Sequence, residues 1–269
     1  MLRRSRAAVG RLLIATVLAA TLGSGAVPGI NPPVAHALTI GSVEGQLLSR
    51  INQARAANGL VPLRVDPRLV QLAEYRAGVM AATNTLSHTI AGCLSCQLTA
   101  NGIQWFSWGE DIAWTGYGID TAADTIFSVW HDASHWATLM SAKFNYIGVG
   151  IAYRSSNNKT WSSAILTESL DHTAPWASVR YGVGTGTTVH WAWTGGDYLL
   201  QTHTAGLKNY DVQYRVGVGT WVLVKGGTTS TTITLYNRVH GHYYGLRVRS
   251  RDWRGNVSHW SAEVRIWLP

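Results

Sequence analysis

The sequence predicts two units in tandem, an α+β layered domain and then an all-β sandwich. Three observations predict it. Apolar residues recur at helical spacing in several segments before residue 141, and two alternating runs follow them. After residue 175 helical periodicity disappears, and short alternating runs are split by Gly, Asn and Thr. Between the two lies Leu170-Asp171-His172-Thr173-Ala174-Pro175, which reads as a linker. The expected layout is a leader over 1–37, a first domain over 38–170, a linker over 171–178 and a sandwich over 179–269.

Bulk composition allows this. The chain has 269 residues, of which 46% are apolar, so each half can bury a core. Charged residues make up only 13%, about half the usual share, while Gly (28) and Trp (13) are abundant. That balance suits extracellular β-rich modules better than a cytosolic enzyme. The net charge of +8 is unevenly spread. Residues 38–174 carry eight Lys/Arg against ten Asp/Glu, and residues 175–269 carry ten against four. The basic character therefore belongs to the C-terminal third, where it serves solubility or attracts anionic cell-wall polymers.

The first element is a leader. Arg3, Arg4 and Arg6 form a basic start, and Leu12 to Leu22 is an apolar run too short to span a bilayer. Ala35-His36-Ala37 supplies a small-x-small cleavage pattern, so the mature chain is expected to begin at Leu38. No other run approaches the ~20 apolar residues of a membrane helix, and the product is expected to be secreted and soluble.

The first helix spans Val43 to Asn58, with Leu47, Leu48, Ile51 and Ala54 on one face and Asn58-Gly59 as its stop. Asp66-Pro67 starts a second helix, with Asp66 as N-cap and Pro67 in the first turn. Its apolar stripe is Leu69, Leu72, Ala73, Val79 and Met80. Cys93 to Gly109 reads as a loop holding a short helix or turn, and Ile112 to Trp114 as a brief strand. Asp120-Thr121 caps a third helix through Trp130, and Ser134 caps a fourth from His135 to Met140. Tyr146 to Tyr153 and Thr160 to Glu168 are strands. Helices followed by an antiparallel sheet make an α+β layered domain. In the last third, segments around Val189–Trp193, Tyr210–Val216, Thr220–Val224, Thr229–Leu235, Tyr243–Arg251 and Trp260–Trp267 read as strands of a sandwich of the ~100-residue class.

The two cysteines, Cys93 and Cys96, are three residues apart. In an exported chain this spacing points to a small local disulfide, which stiffens a loop more than it stabilises a fold. A redox role lacks a strand–CxxC–helix setting, and a zinc site from Cys93, Cys96 and His88 lacks a second CxxC.

Residues 43–169 carry, in order, Ile51-Asn52-Gln53-Ala54-Arg55, Leu63, Asp66, Leu69, Leu86-Ser87-His88, Gly109-Glu110-Asp111-Ile112, Trp130 to His135, Phe144 and Ile147-Gly148-Val149-Gly150. In order and spacing these pieces resemble the CAP superfamily of cysteine-rich secretory, antigen 5 and pathogenesis-related proteins, in its bacterial secreted branch. The resemblance implies an α–β–α sandwich. It also implies a cleft lined by two His and two acidic residues, in which a divalent metal such as zinc binds. His88 matches the first histidine, Glu110 the glutamate and His135 the second histidine. The other acid falls at Ala133, with Asp132 before it and Ser134 after it, and the stretch from Trp130 to His135 is one residue short. Asp111 stands where asparagine is common.

Residues 175–269 carry Trp193-Thr194-Gly195-Gly196-Asp197, Tyr210 to Arg215, Gly219-Thr220-Trp221 and Tyr244 to Asp252, and resemble a fibronectin type III-like sandwich. Tyr244, Leu246 and Val248 point inward, so Arg247, Arg249 and Arg251 face out. With Arg215 they either bind cell-wall polymers or glycans or simply cover the outer sheet face.

Two neutral imidazoles and a carboxylate are an ordinary zinc set with an open position. The alternative is that His88 and His135 cap helix ends and hydrogen-bond Glu110 as a structural cluster. Ser87, Ser134 and Ser169 sit in no nucleophile elbow. The expected role is therefore extracellular binding by a monomer rather than turnover. Metal-dependent hydrolysis with Glu110 as base and carriage of a lipid or sterol are the alternatives. Nucleic-acid binding is excluded by export and by the lack of a basic run.

Overall fold

The computed structural model describes residues 34–269, and side chains from Gly41 onward. The expected leader lies outside the described residues except for 34–37. Those four belong to the first helix, α1 (Val34–Ala57), which starts earlier than its apolar face suggests. α2 (Pro67–Thr83) begins as its sequence dictates: the Asp66 carboxylate accepts the Arg68 N–H, and Pro67 fills the first turn. α3 is Leu94–Ala100, α4 Ala122–Val129 and α5 Ala133–Leu139.

Two helix caps differ from expectation. Thr121 precedes α4 but makes no side-chain capping bond. α5 is capped by Asp132, not Ser134: the Asp132 carboxylate accepts the backbone N–H groups of Ser134 and His135. One Asp132 oxygen, Oδ1, takes both N–H groups and leaves Oδ2 for the His135 ring, so the cap forms two residues earlier.

The first sheet holds β1 (Arg64–Val65), β2 (Ser107–Thr115), β3 (Tyr146–Arg154) and β4 (Lys159–Glu168) in the order β1-β3-β4-β2. β2 is longer than the brief strand expected, so Gly109-Glu110-Asp111 is strand and not loop. α2 and α3 cover one face of the sheet through Leu69, Leu72, Leu98 and Ile165. α1, α4 and α5 cover the other through Leu47, Ile51, Ile126 and Leu139. The result is three layers, helix, sheet and helix. Gly148 and Gly150 explain the close seat of α2: a Cβ on either would fall within about 2 Å of helix backbone.

Beyond Pro175 the structure is all β. β5 (Trp176–Thr185), β6 (Thr188–Gly196) and β9 (Thr232–Leu235) form one antiparallel sheet. β7 (Leu207–Val216), β8 (Val222–Thr228), β10 (His242–Asp252) and β11 (Val264–Leu268) form another. A single core lies between them, built on Trp191, Trp193, Tyr210, Leu246 and Val248. β5 was not legible as a strand, and it begins inside the segment read as a linker.

The two parts are joined by more than a tether. Leu200, in the β6–β7 loop, is 2% exposed and packs with Leu69, Leu98 and Ile165 of the first unit. Asp171 is buried; its carboxylate accepts the Ala205 N–H, while the Asn256 amide donates to its carbonyl. Gln201 accepts the Val61 N–H, and Tyr198 stacks under the Arg64 guanidinium.

Candidate functional site

The site is built around β2, the last strand of its sheet. Alternation along a strand sends neighbours to opposite faces. Glu110 and Ile112 face α2, whereas Asp111 and Ala113 face α4 and α5. The strand therefore places one acid in each helix–sheet interface.

Glu110 is fully engaged. Arg76, from the buried stripe of α2, donates Nε to Oε1 at 2.6 Å and Nη2 to Oε2 at 3.0 Å. The Ser163 hydroxyl donates to Oε1 at 2.9 Å, and His88 Nδ1 lies 2.9 Å from Oε2. Arg76 is itself spent: it also donates to the His88 and Gly92 carbonyls and to Gln97 Oε1. Both side chains of this ion pair are 2% exposed. One arginine thus ties the strand, the residues after α2 and the start of α3 together. The Cys93 and Cys96 sulfurs meet at that start, with Cys93 as N-cap.

His135 has a different partner. Its Nδ1 lies 2.6 Å from Asp132 Oδ2, not beside Glu110. Asp132 is held well below the usual carboxylate range by the His135 backbone N–H, the Ser134 hydroxyl and the His135 ring. The acid beside His135 is therefore Asp132, one residue before Ala133. Sequence reasoning missed this role and that of Arg76, although both left a signal. Asp132 sits three residues before His135 at a helix start, and Arg76 falls on the apolar stripe between Ala73 and Met80.

Both imidazoles now have the same arrangement. A carboxylate has no proton to give, so each Nδ1–H donates, and Nε2 is the ring nitrogen left over on each side chain. Among the described residues neither Nε2 has a hydrogen-bond partner. His88 and His135 line one cleft of about 390 Å³. Ile112, Ala113 and Trp114 of β2 form its floor, and Leu86 and Val129 its apolar walls.

A divalent ion held by all three of His88, Glu110 and His135 does not fit this geometry. Four donors occupy the Glu110 oxygens, and the three side chains do not gather their donor atoms within 4.8 Å. Each imidazole does have the kind of carboxylate partner that fixes ring tautomer in metal sites, Glu110 behind His88 and Asp132 behind His135.

Asp111 is the other unusual group. It is 2% exposed, Thr138 hydrogen-bonds it, and its Oδ2 has no partner. Burial pushes its carboxyl up to about 8, with Asp132 and Glu110 adding repulsion.

Residues 48–166 match the model of the cysteine-rich secretory protein family, CAP. That stretch, the CAP region, contains every residue of the site. No match to a curated protein was found. Among solved structures, an extracellular Bacillus anthracis protein containing an SCP domain is 18% identical, with a TM-score of 0.45. A Staphylococcus aureus cysteine-rich secretory protein is 22% identical, with a TM-score of 0.39. The alignments cover 52% and 51% of this chain, and 45% and 41% of theirs, so the chain spans under half of each. A fibronectin type III-like protein of Clostridium thermocellum is 21% identical over 36% of this chain and 93% of its own, at a TM-score of 0.26. No helix among the described residues is long and apolar enough to cross a membrane.

Proposed function

We propose that the protein is a secreted binding protein whose CAP cleft takes a divalent cation, zinc in the first instance, between the Nε2 atoms of His88 and His135. The observation that carries this is the matched pair of Nδ1–carboxylate contacts, 2.9 Å at His88 and 2.6 Å at His135, around one cleft. Such pairing raises imidazole basicity and fixes the ring, at no cost in ligand atoms. A bound ion would present open positions to a small or extended ligand. The β unit, seven antiparallel strands in two sheets over one core, supports the fibronectin-like reading and serves as spacer or surface adhesin toward cell-wall glycans.

Binding is favoured over hydrolysis by the state of Glu110. A metal-dependent hydrolase would need it as general base within reach of a bound water. Its oxygens are instead taken by Arg76, Ser163 and His88, and it does not line the cleft.

Equilibrium dialysis against zinc at neutral pH, read by elemental analysis, tests the proposal. About one equivalent is expected in the parent and none in His88→Ala/His135→Ala, matching a single two-imidazole site. Equal zinc in both proteins would overturn it.

A further inference from the structure

The floor of the cleft is a strand edge, and that names a ligand. β2 ends the order β1-β3-β4-β2, and among the described residues no strand pairs with its outer side. In an antiparallel ladder every second residue turns its N–H and C=O away from the partner strand. Proteins usually guard such an edge with Lys, Pro or an inward-turned charge. From Phe106 to Tyr117 there is no Lys, Arg or Pro, and the two acids are engaged beneath the helices. Exposed side chains along this stretch are aromatic instead: Phe106, Trp108, Trp114 and Tyr117.

The cleft lies along this strand. Leu86 and His88, which follow α2, line it together with Val129 of α4, His135 of α5 and Ala113 of β2, which is 2% exposed. A second copy would have to bring its own Leu86, His88, Val129 and His135 to the same edge, which crowds the approach. A single extended chain can enter. No Lys, Arg, Asp or Glu lines the cleft, which disfavours an anionic glycopolymer as its occupant. Leu86 and Val129 are 44% and 45% exposed, apolar surface left for side chains of a guest strand.

We infer that the cleft binds an extended, uncharged polypeptide segment by strand addition to β2, with backbone hydrogen bonds along residues 110–114 and alternate apolar side chains against Leu86 and Val129. This rests on the reading of the cleft as a binding site, and not on the cation. It names the partner class.

The test is selection of a phage-displayed random dodecapeptide library on the purified protein in EDTA, so that failure of cation binding leaves it unaffected. Amide hydrogen exchange is then followed with the selected peptide. The expected result is slowed exchange in residues 110–114, and affinity lost by about tenfold or more in both Val129→Asp and Leu86→Asp, with Trp221→Ala unchanged. No binder, protection confined to residues 175–269, or affinity indifferent to both wall substitutions would overturn it. So would protection of β2 that rises with protein concentration alone, which would assign the edge to a second copy.

Discussion

Arg76 carries more of the site than any residue the motif contains. It is a buried cation whose donors reach Glu110, the His88 and Gly92 carbonyls and Gln97. Removing one partner of a buried pair leaves the other charge without compensation, at about 3–5 kcal/mol. Arg76→Met is expected to lose that much in urea unfolding and to release His88; a loss below about 1 kcal/mol would contradict the role. Asp111 makes the opposite kind of prediction. Its unfolded carboxyl loses a proton near 3.8, its folded one near 8, so the parent's stability falls as pH rises through that interval. Asp111→Asn carries no such proton, and its urea midpoint should gain on the parent from about pH 4 to about pH 8 and match it below. Parallel pH curves would contradict this. At this scale the sequence was partly legible. His88, Glu110 and His135 could be named as candidates, but a motif names residue types and not partners. Whether Glu110 is ligand or anchor depends on Arg76, on a helix far away in sequence. Asp132 was hidden because its role was expected one residue later.

Among the elements, α2 was read almost whole, because Asp66-Pro67 and a regular apolar stripe are local signals. β2 was shortened to its apolar end, since Glu110 and Asp111 look like loop residues until their burial partners are known. β5 was missed: its burial alternates weakly, and only Val179 among its residues is fully buried. The glycines of β3 make a sharper point. At Gly150 a Cβ would lie 2.0 Å from the Glu74 nitrogen and 2.1 Å from the Ala73 carbonyl carbon. No flexible side chain can yield there, so α2 must lift from the sheet. Gly150→Ala is expected to cost about 3 kcal/mol or more and to weaken the Arg76–Glu110 contact with it. Unfolding curves that superimpose on the parent would show that α2 sits elsewhere.

For the whole molecule, a change in periodicity near Pro175 was visible, but the joint was not. Leu200 completes a core of the CAP region, and Asp171 is built into the β unit by Ala205 and Asn256. Such long-range contacts leave no local trace in the chain. The outer arginines were placed correctly, yet they are largely spoken for: Arg215 and Arg265 pair with Glu263, and Arg249 with Asp211. Arg247 lies between Trp221 and Trp260. In the cleft two rings place Nδ1 on carboxylates, and the proposed cation would sit on their Nε2 atoms. Nitrogen-15 chemical shifts of His88 and His135, followed as one equivalent of zinc is added, test this directly. Both Nε2 signals should move together while both Nδ1 atoms stay protonated. Signals that stay still, or an Nδ1 that loses its proton to the metal, would contradict it.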